Sequence, residues 1–309
     1  MTRKMIIDTD TASDDAVALL MALRHPEIEV EAITIVAGNV TTEQASINAR
    51  YTVELCGKEV PVYEGAIRPL TREPHRATFF HGEDGMGDMN YPMPQRQPAP
   101  GHAVEALIET ITANPGIMLV TLGPMTNIAM ALTKAPEIVE HVSRAIVMGG
   151  AACTVGNITP AAEFNIWSDP EAAQTCFRSG LPIEMVGWEL CRGEANLNEE
   201  DVRYCRETIN TKFAHFAIDC NRFAVDINRQ WLGEPGIGLP DPIAMAIAID
   251  PTICSRQSRH SVDIECDGTL TRGMTVVDEL GVTKGEPNAS VCWAIDISRW
   301  KALLFGLLR

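Results

Sequence analysis

Positive charge is scarce in this chain. Its 25 Lys and Arg residues stand against 41 Asp and Glu, a formal net charge of −16. So acidic a surface repels phosphate backbones and anionic headgroups, which argues against nucleic acid and membrane surfaces as partners. No apolar run reaches 18 residues, and Met1-Thr2-Arg3-Lys4 leads into no signal-peptide core, so the expectation is a cytoplasmic protein. CxxC pairs are missing as well. The nine cysteines stand singly in mostly apolar surroundings, which predicts small reduced core residues rather than a disulfide framework or a zinc site. No repeat, low-complexity tract or charge run divides the 309 residues, so one domain spanning 1–309 is expected.

What is present is alternation. Short apolar runs at 5–7, 30–37, 60–63, 117–122, 145–148 and 183–186 read as strands, with helical periodicity between them, as at 16–24 and 42–55. This predicts an α/β fold, a mostly parallel open sheet flanked by helices. The Pro- and Gly-rich stretch 64–101 is long enough to suggest a functional loop. Further on, Val202, Cys205, Ile209, Phe213, Phe216, Cys220 and Phe223 form one apolar stripe, predicting a single helix of six turns over 198–223. Another helix is expected from Asp241, and late strands at 262–266, 274–277 and 291–295.

In open α/β sheets, ligands bind outside the carboxyl ends of the strands. Asp8, Asp10, Asp14 and Asp15 follow the first strand, and Asn39 follows the second. Gly123-Pro124-Met125-Thr126-Asn127 follows the fourth, and Met148-Gly149-Gly150, then Asn157, Glu163 and Asn165, follow the fifth. Four carboxylates this close repel one another unless protonated or bound to a cation, and an all-oxygen set suits Ca²⁺ or Mg²⁺. The competing reading makes Asp14 and Asp15 helix-capping residues, and Asp8 and Asp10 turn residues.

Asp8-Thr9-Asp10-Thr11-Ala12-Ser13-Asp14-Asp15-Ala16 resembles the N-terminal signature of the nucleoside hydrolases, of the inosine–uridine-preferring type. The resemblance continues through Val36-Ala37-Gly38-Asn39-Val40, His81-Gly82-Glu83-Asp84-Gly85, Gly123 to Ala129, and Val147-Met148-Gly149-Gly150. Ala162-Glu163-Phe164-Asn165-Ile166, Ser168-Asp169-Pro170 and Asp241-Pro242 complete it. The resemblance implies a Rossmann-related fold and hydrolysis of the N-glycosidic bond of ribonucleosides, purine or pyrimidine, to free base and ribose. It implies Ca²⁺ held by Asp10, Asp15, Asp241 and the main-chain carbonyl of Thr126, with Asp10 also taking a proton from a water on the ion. Asp14, Asn39, Asn157, Glu163 and Asn165 would hold the ribose, while Met148 and Phe164 would face the substrate. Relatives of this type are commonly homodimers or homotetramers.

One position departs from the pattern. Many members carry a histidine directly before the last metal-binding aspartate, where it protonates the leaving base, but Pro240 stands here and has no proton to give. His81 and Arg222 are the expected substitutes. Loss of turnover is the alternative, leaving a nucleoside- or ribose-binding protein; an acidic phosphotransferase is disfavoured by the lack of a basic phosphate cradle. Asp267-Gly268 imitates part of a phosphatase signature, but Glu265 replaces that signature's leading aspartate, and a hairpin turn is expected instead.

Overall fold

Met5, Ile6 and Ile7 of the first strand, β1 (Arg3–Thr9), are all fully buried, so both faces of this strand must be covered. In the computed structural model, which describes residues 2–233 and 236–309, β1 lies inside an eight-stranded sheet. Its partners are β2 (Ile28–Ile35), β3 (Val62–Glu64), β4 (Ile117–Thr121), β5 (Val142–Met148), β6 (Ile183–Val186), β7 (Cys254–His260) and β10 (Ala289–Ile295). The order is β3-β2-β1-β4-β5-β6-β10-β7, parallel throughout except that β7 runs antiparallel to β10. A separate hairpin pairs β8 (Val262–Ile264) with β9 (Thr275–Val277), and Asp267-Gly268 lies in its connection, as expected.

Helices cover both faces. Ile7 points into an apolar cluster with α1 (Ser13–Arg24), α2 (Thr42–Leu55), α11 (Pro240–Ile249) and α12 (Ile297–Leu308). Ile6 points the other way, into a cluster with α4 (Ala103–Ala113), α5 (Thr126–Lys134) and α7 (Pro170–Phe177). The strand order reverses between β1 and β4, where the connections leave in opposite directions and open a crevice at the carboxyl ends.

The sequence-predicted helix over 198–223 is not continuous. It divides into α8 (Glu199–Arg203), a π-helical turn at Tyr204–Ile209, α9 (Lys212–Asp219) and α10 (Arg222–Ile227). Asn210 adopts left-handed backbone at φ 49°, and the Thr211 side chain caps a new helix by accepting from Ala214 N. The apolar stripe survives the break: Cys205, Phe216 and Cys220 are buried, and Val202, Ile209 and Phe213 pack against the same apolar cluster. Two elements carried too weak a signal to be anticipated: the polar edge strand β7 and the C-terminal α12. None of the nine cysteines is joined in a disulfide, as expected.

Asn127, in the first turn of α5, staples the crevice together. Its Oδ1 accepts from Ala66 N at 2.9 Å, and its Nδ2 donates to Asp8 Oδ2 at 2.8 Å and to Ile35 O at 3.0 Å. Asn127→Ala would orphan two backbone groups and weaken the support of a buried carboxylate. A loss of about 2–4 kcal/mol is expected. A lowered urea midpoint in equilibrium unfolding checks this, and an unchanged midpoint would contradict it.

Candidate active site

The turn after β1 reverses into α1 so tightly that three carboxylates meet in the crevice, and a fourth comes from the first turn of α11. Asp10, Asp14, Asp15 and Asp241 are all buried. Asp15 is fixed from both sides, since its Oδ1 accepts from Thr9 Oγ1 at 2.6 Å and its Oδ2 from Ala12 N at 3.0 Å. Asp10 Oδ2 accepts from Asn39 N at 2.5 Å. In contrast, Asp10 Oδ1, Asp14 Oδ1 and Asp241 Oδ1 have no hydrogen-bond partner. Carboxylate oxygens of Asp14, Asp15 and Asp241 all lie within 4.8 Å of one another.

Burial pushes every one of these carboxyls up, and Asp15 adds like-charge repulsion to the other three; Asp14 rises to about 7. Orphaned oxygens converging in an acidic, dry corner fit a hard cation, which would satisfy them and reverse the repulsion. Asp8 plays another part. Its Oδ2 accepts from Thr34 Oγ1 and Asn127 Nδ2, which places it in the frame beneath the crevice.

Asn157, Glu163 and Asn165 come together on the far side of the crevice. Glu163 caps α6 (Phe164–Ser168); its Oε1 accepts from Asn165 N, and its Oε2 from Gly150 N and Ile166 N. Desolvation nevertheless raises its carboxyl to about 7. Asn165 Nδ2 donates to Leu122 O at 2.7 Å, and Asn157 Oδ1 accepts from Phe164 N at 2.9 Å. The bracing leaves these groups little freedom to reorient.

Between the two sides lies a cavity of about 310 Å³, within the range of small-molecule sites. Asp14, Asn39, Met148, Asn157, Glu163, Phe164, Asn165 and Asp241 line it, together with His81 and Pro240. His81 closes the short helix α3 (Thr78–His81), with Nδ1 2.7 Å from Ser13 Oγ and 3.8 Å from Asp14 Oδ1. Desolvation lowers it to about 3, so its imidazole is neutral at ordinary pH.

Arg222 does not join this group. It opens α10 at the surface instead of ending a long helix, and its Nη2 donates to Asp88 O at 3.3 Å. Thr126 is buried and its Oγ1 donates to Asp169 Oδ2, but its side chain does not line the cavity. Asp10 likewise sits behind the lining, pressed between Gly38 and Gly123. Trp188, Cys191, Arg192, Asn196 and Asn228 also line the cavity. Of these, Arg192, Asn196 and Asn228 were not expected from sequence, because only the tertiary fold brings them to the crevice.

A family model described as inosine-uridine preferring nucleoside hydrolase matches residues 5–302. A pyrimidine-specific ribonucleoside hydrolase, RihA, of Shewanella sp. (strain ANA-3) is 39% identical over all of this chain and 96% of its own. A plant nucleoside hydrolase structure superposes with a TM-score of 0.94 at 33% identity, covering 100% of this chain and 99% of the other. A purine-preferring ribonucleoside hydrolase from Gardnerella vaginalis gives 0.90 at 33% identity, covering 99% of each. The chain therefore belongs to the inosine-uridine preferring nucleoside hydrolase family, and it is an enzyme that hydrolyses ribonucleosides.

Gly38 lets the crevice close on Asp10. A Cβ at position 38 would stand 2.0 Å from Asp10 Oδ2 and 2.8 Å from Pro124 Cδ. Gly38→Ala is expected to displace the carboxylate and lower kcat/KM on uridine by about 10²-fold or more, with far-ultraviolet circular dichroism unchanged. Kinetics within a few-fold of the parent would remove the need for this close approach.

Proposed function

We propose that this protein is a Ca²⁺-dependent hydrolase of the N-glycosidic bond of purine or pyrimidine ribonucleosides, such as inosine and uridine, yielding free base and ribose. The observation that carries the reading is the set of partnerless buried oxygens on Asp10, Asp14 and Asp241 beside a fixed Asp15. Asp10, Asp15, Asp241 and the Thr126 carbonyl would hold the ion, and the proximity of Asp14 to Asp15 and Asp241 draws it toward the same role. A bound Ca²⁺ supplies charge that makes water more acidic and orients the sugar hydroxyls.

This chain's own groups do the rest. Asp10 Oδ1, which no protein donor occupies, takes the proton from the attacking water. Asp14, Asn39, Asn157, Glu163 and Asn165 hold the ribose hydroxyls, each of which both donates and accepts. As the C–N bond lengthens, positive charge develops on the ribosyl ring, and the surrounding carboxylates favour it electrostatically. Met148 and Phe164 present apolar surface to the substrate. His81, as a neutral imidazole, hydrogen-bonds within the site; Arg222 has no place in this reading.

The purine and pyrimidine preferences named for its relatives differ, and both base classes stay within the reading. Cytoplasmic location is supported by nine cysteines that are not joined in disulfides. Among the described residues no helix is long and apolar enough to cross a membrane. Assembly as a homodimer or homotetramer is supported by Leu270, Leu280 and Val282, which stand 84%, 85% and 75% exposed near the β8–β9 hairpin.

Asp10→Asn retains one oxygen but no base. Turnover of inosine and uridine, followed as reducing sugar, should fall to near background while circular dichroism is preserved. A rate within a few-fold of the parent would remove Asp10 from proton transfer. Chelation should abolish activity and lower the melting temperature, with both restored by Ca²⁺, since Asp10, Asp14, Asp15 and Asp241 repel when no cation compensates them. Full activity in protein shown by elemental analysis to be free of metal would overturn the calcium reading.

A further inference from the structure

Cleaving a nucleoside sends the glycosidic electron pair onto the base, so the base end of the site must accommodate negative charge as the ribosyl end accommodates positive charge. Pro240 heads α11 beside Asp241 and lines the cavity with a ring that can donate nothing. Asp14, Glu163 and Asp241 make the same cavity acidic. Among the described residues that line it, Arg192 is the side chain with a permanent positive charge.

Local structure fixes where that charge sits. The turn Trp188–Cys191 follows β6 and carries the chain from the sheet edge into the cavity wall. Trp188 is buried, and its indole Nε1 donates to Val155 O at 2.8 Å, which anchors the ring. The Arg192 guanidinium carbon stands 4.8 Å from the centroid of that ring, a cation–π contact that positions the planar group on a rigid platform. Two carboxamides border Cys191, the residue before Arg192. A Cβ at Gly238 would meet Asn196 Oδ1 at 3.2 Å, Asn228 Nδ2 at 3.5 Å and Cys191 Sγ at 3.5 Å, so these three groups converge at a position two residues before Pro240 in the chain. Asn196 and Asn228 are each 5% exposed and line the cavity.

We propose that Arg192, stacked on Trp188, is the catalytic group that stabilises the departing base, doing electrostatically what a proton-donating residue at position 240 would do by transfer. This rests on the hydrolase reading above. Water contributes hydroxide to C1′ and its remaining proton to Asp10. The electron pair of the broken C–N bond resides on the base, spread over its ring nitrogen and carbonyl oxygens. The guanidinium hydrogen-bonds to these acceptors and keeps all of its own protons. Release of the base follows once it takes up one proton, which balances the one left by water. The leaving groups this corner favours are therefore bases with a carbonyl conjugated to the glycosidic nitrogen, such as uracil and hypoxanthine.

The test compares uridine and inosine with p-nitrophenyl riboside, whose phenolate leaves without assistance and so reports the ribosyl half of the site. All assays use Ca²⁺-loaded enzyme. Arg192→Ala should lower kcat/KM on the two nucleosides about 10²-fold more than on p-nitrophenyl riboside, the scale seen when one charge-stabilising donor is removed. Added guanidinium ion should restore part of the nucleoside rate in this variant, a rescue that a packing role would not give. Arg192→Lys, which keeps charge but not the planar fork, should fall between parent and Arg192→Ala, and it carries the test if the alanine variant does not fold.

Equal losses on both substrate types, or no loss on nucleosides, would overturn the proposal while leaving the hydrolase reading intact. Failure of the parent enzyme to release ribose from either substrate type would overturn the hydrolase reading itself, and the proposal with it.

Discussion

The constraint on which this structure turns is the confinement of like charges. Asp10, Asp14, Asp15 and Asp241 are buried in one corner where water cannot screen them, and each is pushed toward protonation mainly by that burial. An ordinary core would not tolerate the arrangement. It persists because one set of carboxylate oxygens is consumed by Thr9, Ala12 and Asn39, while another set is left facing inward. The fold thus holds a cradle of carboxyl groups in place, and in the proposed reading cation binding would relieve the electrostatic cost of burying them.

The scaffold explains why the cradle stands at this point. Parallel strands buried on both faces leave polar residues nowhere to go but the strand ends, and the reversal between β1 and β4 separates the flanking loops to form a crevice. Asn127 ties β1, the end of β2 and the loop at Ala66 together across it. On the far side of the crevice, Glu163 uses three backbone N–H groups to fix its carboxylate, so a ribose held there, as proposed, would meet a group already oriented.

Much of this was legible in the sequence, for identifiable reasons. Strands buried on both faces write themselves as dense apolar runs, and polar residues right after those runs stand out by contrast; Asp10 and Asn39 were found that way, and Asn165 through the family resemblance. β7 was not legible, because Cys-Ser-Arg-Gln-Ser-Arg-His at a sheet edge keeps most of its side chains exposed and carries no apolar pattern. The break at Asn210 was obscured by a different effect. The apolar stripe continues in phase across it, so periodicity outweighed the local signal of Asn before Thr, a left-handed residue followed by a helix cap. Arg192 was invisible for a third reason, since its value comes from the buried Trp188 ring beneath it and the wall around it, neither of which a linear pattern encodes.

With Arg192 as proposed, the cavity is electrically asymmetric in the direction the chemistry requires. Heterolysis of an N-glycosidic bond separates charge, leaving the sugar cationic and the base anionic across about one bond length. In the proposed reading buried carboxylates surround the half of the site that would hold the sugar, and their field, tempered by a cation, opposes negative charge there and welcomes positive charge. A guanidinium at the other half completes the pattern with the opposite sign. Such a fixed dipole favours the separated state over the neutral nucleoside, so it lowers the barrier without tightening ground-state binding. A proton donor at position 240 would serve the same end by cancelling the base's charge. A chain that places proline there can retain catalysis by matching that charge instead, and the cost is dependence on bases whose structure spreads it within reach of the guanidinium.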